Sequence, residues 1–320
     1  MSNKIISRRT ALKAGLAAGL TTASWPHRAQ AIDYTQPVKE AKGLTAYLKD
    51  GEVQLRWENM PLMVYRAKPA QKYPYFYPLN GLGSGMSLTT ESALPYPHHR
   101  GLWLGCEPMN GGDYWADNGL ESGHIKSIGL DLGATTSQSA EILDRCHWVR
   151  QGAPSPLSDE REFKVTVLND KVWVIDADLK IKANQDIEIE RAKHSFFAIR
   201  AASDISCTYG GTLENSEGGQ GAEGTYGKEA RWCGYYGKRR YNADVVEGIS
   251  VMTHPDNPWK PIWFTREYGH LSPSPLNFLE EPWRLAKGKT LQLKYRVVMH
   301  VGSPQEADLE SVYKQWIESA

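Results

Sequence analysis

The 320-residue sequence is poor in phenylalanine and cysteine and has no excess charge of either sign. It contains 6 Phe, 4 Cys, and 37 basic residues against 37 acidic ones. Nucleic-acid-binding proteins usually carry a basic excess, so we expect no nucleic acid among the partners. Beyond residue 31 there is no run of about 18 apolar residues, so we predict no membrane span in that part of the chain.

Familiar catalytic motifs are also missing. The sequence has no GxSxG, Rossmann or Walker motif. The glycine-rich stretch 81–85 lacks the Lys-Ser/Thr ending of a phosphate loop, so we predict a tight turn there. No pair of cysteines has CxxC spacing, which excludes a zinc knuckle and a thioredoxin-type site. One or two disulfides can form, and all three full connectivities stay open. The cysteines are Cys106, Cys146, Cys207 and Cys233.

The first 31 residues have the pattern of a twin-arginine signal peptide. Arg8 and Arg9 precede a mildly apolar stretch, and a small-x-small cleavage sequence ends at Ala31. The alternative is a short amphipathic helix packed on the domain. The signal predicts export by the twin-arginine translocation machinery, a periplasmic or secreted mature protein, and a single domain over residues 32–320.

Strand patterns dominate that domain. Residues 46–57 and 163–182 alternate apolar and polar side chains around Asp50-Gly51 and Asn169-Asp170, which predicts two hairpins. Residues 291–301 predict a further strand, and residues 305–318 have the apolar face of a helix. The sequence therefore predicts an all-β fold, a large β-sandwich of jelly-roll or supersandwich type with long loops and a C-terminal helix.

The segment from Tyr73 to Trp115 is the richest in chemistry. His98 and His99 are followed by Arg100, and two imidazoles beside a cation suit proton transfer, metal ligation or substrate binding. Neighbouring side chains of an extended segment point to opposite faces, so both histidines reach one ligand only if the backbone turns there. The alternative is one buried histidine bonded to the backbone and one exposed histidine.

Histidine and carboxylate side chains in this region have the right ligand types for a divalent metal cofactor. Asp113 and His124 lie downstream of the tandem histidines, and His254 lies further along the chain. Their spacing matches no established metal motif such as HExxH. The candidate metal ligands are His98, His99, His124 and His254.

Two later segments place charged residues near aromatic ones, as pyranose binding requires. Glu229 lies in a loop-like segment close to Trp232, and Arg266 and Glu267 lie in a strand-like one. Arg266 and Glu267 can equally form an internal ion pair. The predicted catalytic residues are His98, His99, Arg100, Glu229, Arg266 and Glu267. The predicted substrate-binding residues are Trp103, Asp113, Trp115, Trp232, Trp259 and Tyr268.

Several ordered motifs resemble the PmoA-like family of bacterial exported proteins, which carries the name methane oxygenase. The motifs are PYFYPLNG, YPHHRGLWLG, NGGDYW, FFAIR, GKEARWCGYYG, HPDNPWKP and WFTREYG. Tyr96 stands where the family pattern has His. A methane monooxygenase subunit is a bundle of membrane helices, so methane oxidation does not fit this chain. Members of this family tend to be encoded beside sugar oxidoreductases and isomerase-like proteins. The resemblance therefore implies a role in carbohydrate breakdown, including that of 3-keto-sugars.

Three functions compete at this stage. The first is a hydrolase, lyase or epimerase that acts on a glycoside or 3-keto-sugar by acid–base chemistry, with an oligosaccharide or small sugar as substrate. The second is a non-catalytic glycan-binding protein that uses tryptophans as stacking platforms. The third is the metal-dependent oxidoreductase that the family name implies, which requires at least three convergent ligands. The first is our prediction.

Overall fold

Residues 41–319 are described by the computed structural model, and about half of this part of the chain forms antiparallel strands. The predicted twin-arginine signal, residues 1–31, lies outside the described residues. The strands are β1 (Leu44–Lys49), β2 (Glu52–Trp57), β3 (Met60–Arg66), β4 (Tyr75–Leu79), β5 (Leu102–Glu107), β6 (His124–Ser127), β7 (Asp131–Thr135), β8 (Ser139–Val149), β9 (Leu157–Val167), β10 (Val172–Ala183), β11 (Ile187–Ile189), β12 (His194–Arg200), β13 (Thr212–Asn215), β14 (Trp232–Arg239), β15 (Asn242–Thr253), β16 (Trp263–Thr265), β17 (His270–Pro273), β18 (Trp283–Leu285) and β19 (Thr290–Val301). The helices are α1 (Gly221–Thr225) and α2 (Leu309–Ser319).

The strands form two large sheets. One has eight strands in the order β1-β2-β3-β4-β5-β12-β17-β16. The other has nine, in the order β13-β14-β15-β19-β10-β9-β8-β6, with β7 also paired to β8. A separate two-stranded ribbon joins β11 to β18. The predicted all-β sandwich is confirmed.

Both predicted hairpins are present because their turn residues suit the geometry. Asp50 and Gly51 have φ of 51° and 76° and connect β1 to β2, as a two-residue turn with positive φ requires. Asn169 follows β9, and its side chain accepts the backbone N–H groups of Lys171 and Val172 at 2.9 Å, which fixes the turn into β10.

The two sheets share one hydrophobic core. Phe197 of β12 stacks on Tyr295 of β19, with ring centroids 4.6 Å apart, and Phe76 of β4 meets Phe163 of β9 edge-on at 4.9 Å. Successive side chains of a strand point to opposite faces, so the residues next to these four in each strand point away from the core.

Helix α2 covers part of the outer face of the nine-stranded sheet. Leu309, Val312 and Trp316 pack on Val174 and Val298, which confirms the predicted apolar face. The helix begins four residues later than predicted, because Asp308 has a left-handed φ of 50° that cannot continue a helix. No helix among residues 41–319 is long and apolar enough to cross a membrane.

All four cysteines lie within the described residues and are free. Neither of the disulfides left open by the sequence is formed. Cys106, Cys146 and Cys233 are buried in the core, where burial raises the pKa of each thiol. These three thiols behave as small apolar side chains.

Candidate active site

The outer face of the eight-stranded sheet carries a row of polar and aromatic side chains. In the pairing of β5 with β12, His194 lies opposite Glu107 and Ala198 opposite Trp103. Paired residues share a face of the sheet, and because Phe197 points into the core, its even-numbered neighbours point outward. The same face receives Arg200 of β12 and its β17 partner His270.

The loop before β5 lays the tandem histidines on this row. The N–H of His99 donates to the carbonyl of Tyr96 at 3.1 Å, so the backbone turns and the imidazoles of His98 and His99 meet, with ring centroids 4.6 Å apart. The backbone therefore turns at the two histidines, as it must if both are to reach one ligand. The ring of His99 stacks on Trp103 at 5.3 Å and on His270 at 4.6 Å.

A second loop, after β5, packs on the same face. Gly105 makes this possible, because a Cβ there would lie 2.6 Å from the carbonyl oxygen of Tyr114. The Asp113 carboxylate accepts the N–H groups of Trp115 and Ala116 at 2.8 Å and so shapes the loop. Trp115 then stacks on His194, with centroids 5.2 Å apart and planes 14° from parallel.

Four imidazoles are thereby gathered into what we call the histidine cluster: His98, His99, His194 and His270. Burial is the largest cause of a lowered pKa in all four. Burial and the charges of His98 and Arg200 bring the pKa of His99 to about 2, and burial and Lys193 bring that of His194 to about 4. At neutral pH the cluster is therefore a set of uncharged bases.

Arg200 is a buried cation inside this cluster. It is 3% exposed, its Cζ lies 4.3 Å from the ring centroid of Tyr268, and its Nη1 is 3.4 Å from Nδ1 of His99. Within residues 41–319 no carboxylate forms an ion pair with it, and burial lowers its pKa. A buried, unpaired guanidinium is costly, and an anionic group of a ligand is its natural partner.

Glu107 and His194 form a carboxylate–imidazole pair at the accessible side of the cluster. Oε2 of Glu107 is 3.1 Å from Nδ1 of His194, and both side chains are partly exposed. Burial and the nearby Asp113 raise the pKa of Glu107. A carboxylate in this position fixes the ring orientation and tautomer of the histidine, as general acid–base catalysis requires.

Several buried polar atoms around the cluster have no hydrogen-bond partner in the described part of the chain. They are Nε of Arg200, Nε1 of Trp103, Nε1 of Trp115, and both ring nitrogens of His270. Buried polar groups are normally satisfied, because an unmade hydrogen bond costs about 1–3 kcal/mol. These atoms lie on one face of the sheet, and a ligand bound there would satisfy them.

Five of the residues predicted from the sequence come together here: His98, His99, Trp103, Trp115 and Tyr268. Others lie around them. Arg100 pairs with Asp117 at 3.1 Å, and Arg266 lies over Phe264, whose ring contacts His270. Trp259 stacks on Phe196 of the same sheet face.

Three predicted residues lie outside this assembly. Glu229 is exposed and pairs with Lys260 at 3.0 Å, and Glu267 accepts the N–H of Ala222 at the start of α1. Trp232 is buried beneath α2, where its Nε1 donates to Glu310 at 3.0 Å. These positions correct the sequence-based grouping: Trp232 lies on β14 of the other sheet, and Glu229 and Glu267 bind partners outside the histidine row.

The four candidate metal ligands do not form one set. His124 lies on β6 and bonds the carbonyl of Leu120, and His254 packs edge-on to Trp316 beneath α2. No group of three or more His, Cys, Asp or Glu side chains within residues 41–319 is arranged to hold a metal ion. The convergence that a metal site needs is absent from these histidines.

Four central residues were not among the predicted ones: Glu107, His194, Arg200 and His270. Arg200 closes the FFAIR motif and His194 begins the same strand, so alternation places both on one face. That alternation was the available signal. The partner strand could not be read from it, since Glu107 and His194 are 87 residues apart.

Comparison with known proteins gives a family and distant structural likenesses. The profile of a family of unknown function, DUF6807, matches residues 52–314. No curated protein matches the chain. A mutant of the heparan sulfate lyase HepC from Pedobacter heparinus is 9% identical, with a TM-score of 0.39. The superposed region is 82% of this chain and 37% of the lyase chain. Two epimerase structures are each 9% identical, with a TM-score of 0.32: galactose 1-epimerase from Lactobacillus acidophilus NCFM and a GalM/aldose epimerase homologue from C. elegans. In each case the superposed region is 82% of this chain and 99% of the other chain.

Proposed function

The chain belongs to the DUF6807 family, whose function is unknown, and we propose that it is an exported carbohydrate-active enzyme that removes a proton from a sugar carbon next to a carbonyl group. A lyase reaction on a 3-keto-glycoside is the form of this chemistry that we favour. Export by the twin-arginine route and membership of the PmoA-like group are part of the same proposal.

One observation carries this proposal: an unpaired, buried guanidinium lies beside uncharged imidazoles. Nη1 of Arg200 is 3.4 Å from His99, and His194 is held by Glu107 on the same face. Proton removal next to a carbonyl requires an uncharged base and a fixed positive charge where the enolate oxygen develops. The site supplies both in a water-poor environment.

The proposed step begins with the C2 proton of a 3-keto-pyranose. His194 takes this proton, and the electron pair moves onto the carbonyl oxygen, which Arg200 stabilises as an enolate. When the pair returns, the C1–C2 double bond forms and the C1–O bond breaks. The imidazolium of His194 then gives the proton to the departing oxygen. Return of a proton from the imidazolium of His194 to C2 would instead regenerate the 3-keto-sugar, with exchange of the C2 hydrogen in D₂O.

Two tyrosine rings lie beside the histidine cluster, and one of them is partly exposed. Tyr96 is 38% exposed, lies 5.3 Å from the ring of His99 and contacts Tyr268 at 5.1 Å. Pyranose C–H faces stack on such rings while hydroxyls bond to polar neighbours. Trp103 and Trp115 stack on His99 and His194 and so hold these imidazoles in place.

The test uses a 3-keto-glycoside and its unoxidised counterpart with the purified protein in D₂O. We expect product release or deuterium incorporation at C2 from the 3-keto-sugar alone, read by mass spectrometry. Glu107→Gln should reduce the rate about 10²-fold, the lower range for a positioned acid–base group. Glu229→Gln is the matched control, since that glutamate lies apart from the cluster. Absence of both product and exchange, or equal loss in both variants, would overturn the proposal.

A further inference from the structure

A second concave surface shares no residue with the histidine cluster. It is a cavity of about 630 Å³ between the chain after β12 and the β14–β15 hairpin. This volume is in the range of small-ligand sites. The residues of this cavity that carry the inference are Asp204, Tyr209, Lys238, Arg239, Arg240 and Tyr241.

Two tyrosines from different segments stand at this cavity with their rings in solvent. Tyr209 ends the short turn after β12 and is 68% exposed, and Tyr241 lies at the tip of the β14–β15 hairpin and is 81% exposed. Large rings are normally buried, because each removes a large apolar area from water. Paired exposed tyrosines on one cavity are suited to stacking on the C–H faces of a sugar.

The hairpin turn itself is not made of turn-forming residues. Arg239 pairs with Asn242, so Arg240 and Tyr241 are the two residues of the turn. Two-residue turns favour Asn-Gly or Asp-Gly, and the β1–β2 hairpin of this molecule uses Asp50-Gly51 in that way. Turn geometry therefore does not explain an arginine and a tyrosine at this tip.

Arg239 is the buried cation of the cavity lining. It is 1% exposed, and its Nη2 donates to the carbonyl of Ser87 at 2.8 Å. Its Nε lies 3.4 Å from Asp204 and 3.6 Å from the buried Glu247. Its Nη1 has no hydrogen-bond partner in the described part of the chain. These contacts tie the hairpin to the loops below it and fix the cavity walls.

The charge at the opening is positive. Lys238 and Arg240 are exposed, and within residues 41–319 neither side chain forms an ion pair with a carboxylate. Asp204 is the acidic residue of the cavity lining, and it is occupied by Arg239 and by the backbone N–H of Arg240 at 2.9 Å. The two free cations can therefore bind an anion of the ligand.

We propose that this cavity binds an anionic sugar unit of an oligosaccharide, a uronate or a sulfated pyranose. The ring would lie against Tyr209 and Tyr241, and Lys238 and Arg240 would hold its carboxylate or sulfate. The proposal does not depend on the reaction assigned to the histidine cluster.

Calorimetric titration of the protein with three galactose-based trimers tests the proposal: the galacturonate, the 6-sulfated and the neutral form. We expect the anionic trimers to bind, with affinity falling as salt rises. Tyr241→Ala and the double variant Lys238→Gln with Arg240→Gln should each weaken binding about tenfold or more, as loss of a central contact does. The two anionic trimers show whether carboxylate or sulfate is preferred.

Matched controls separate this site from other surfaces and from the catalytic proposal. Met60→Ala removes another exposed apolar side chain and Lys289→Gln another exposed cation, and both should leave binding unchanged. Arg200→Met should also leave trimer binding at this site unchanged, whatever it does to turnover. Equal binding of the neutral trimer, no binding of any trimer, or unchanged binding in Tyr241→Ala would each overturn the proposal.

Discussion

Two buried arginines of this protein have opposite surroundings. Arg161, between the sheets, binds Asp159 through Nε at 2.6 Å and Nη2 at 3.1 Å, and Trp148 donates to the same carboxylate. Burial acts to lower the pKa of Arg161, but the charge of Asp159 outweighs it and the net shift is upward. Arg200, on the outer face, has no carboxylate partner among the described residues, and burial lowers its pKa.

We interpret this difference as that between a structural charge, Arg161, and the functional charge that we propose for Arg200. Arg161 and Asp159 satisfy each other, so the fold needs nothing further at that point. Arg200 has an unsatisfied Nε and lies beside His270, neither of whose ring nitrogens has a partner in the described part of the chain. A fold retains such a cost where the missing partner is supplied by a ligand. The predictions below test this distinction, from the largest expected effect to the smallest.

Removing one member of the interior pair should have the largest effect. Asp159→Asn leaves the buried Arg161 without its hydrogen-bonded carboxylate, which we expect to lower the free energy of unfolding by about 3–5 kcal/mol. Urea denaturation measures this loss. The double variant Asp159→Leu with Arg161→Met should recover part of it, since a buried pair can often be replaced by apolar side chains. A loss below about 1 kcal/mol in Asp159→Asn would show that the pair is not structural.

Arg200→Met should have the opposite result. The free energy of unfolding should change by less than about 1 kcal/mol, because no ion pair is broken and an unpaired charge leaves the interior. Turnover of a 3-keto-glycoside should fall about 10²- to 10³-fold, the loss expected when a donor to a developing oxyanion is removed. Equilibrium unfolding and initial rates measure the two quantities on one sample. Full activity in a folded variant would refute the role of Arg200.

Acid should destabilise the protein through the histidine cluster. A histidine with a pKa of about 6.5 when unfolded and about 4 when folded binds its proton more readily in the unfolded chain. Stability is therefore complete above pH 6.5 and is lost as the pH falls through the folded pKa. For His194, which is partly exposed, we expect this loss to be about 2 kcal/mol. His194→Asn should flatten the thermal stability profile between pH 6.5 and 4, and an unchanged profile would contradict the assignment.

The sequence predicted the elements whose signals are local. The hairpins at Asp50-Gly51 and Asn169-Asp170 and the apolar face of α2 each depend on residues within about 20 positions of one another, and all three are confirmed. The tandem histidines were found for the same reason, because they are neighbours in the chain. Roles for individual side chains remain predictions.

Non-local pairing accounts for what sequence reasoning missed. Arg200 meets His99 from 101 positions away, and it does so because β5, β12 and β17 are adjacent in the sheet. Alternation gives the face of a residue but not the neighbouring strand, so the sequence could not join Glu107 to His194. The same limit explains the misplacement of Trp232, an aromatic residue that α2 covers.

The smallest effect is expected for an exposed pair on the outer face of the nine-stranded sheet. Lys180 lies 3.5 Å from Glu162, and both side chains are 42% exposed. Water screens the attraction between these two charges, and holding both side chains in one geometry costs entropy. Lys180→Gln should therefore change the free energy of unfolding by less than about 0.5 kcal/mol. Arg296→Gln is the control, because Arg296 is 10% exposed and binds Asp176 through two hydrogen bonds of 2.6 and 2.8 Å. Equal losses in the two variants would mean that burial does not set the value of a charge in this fold.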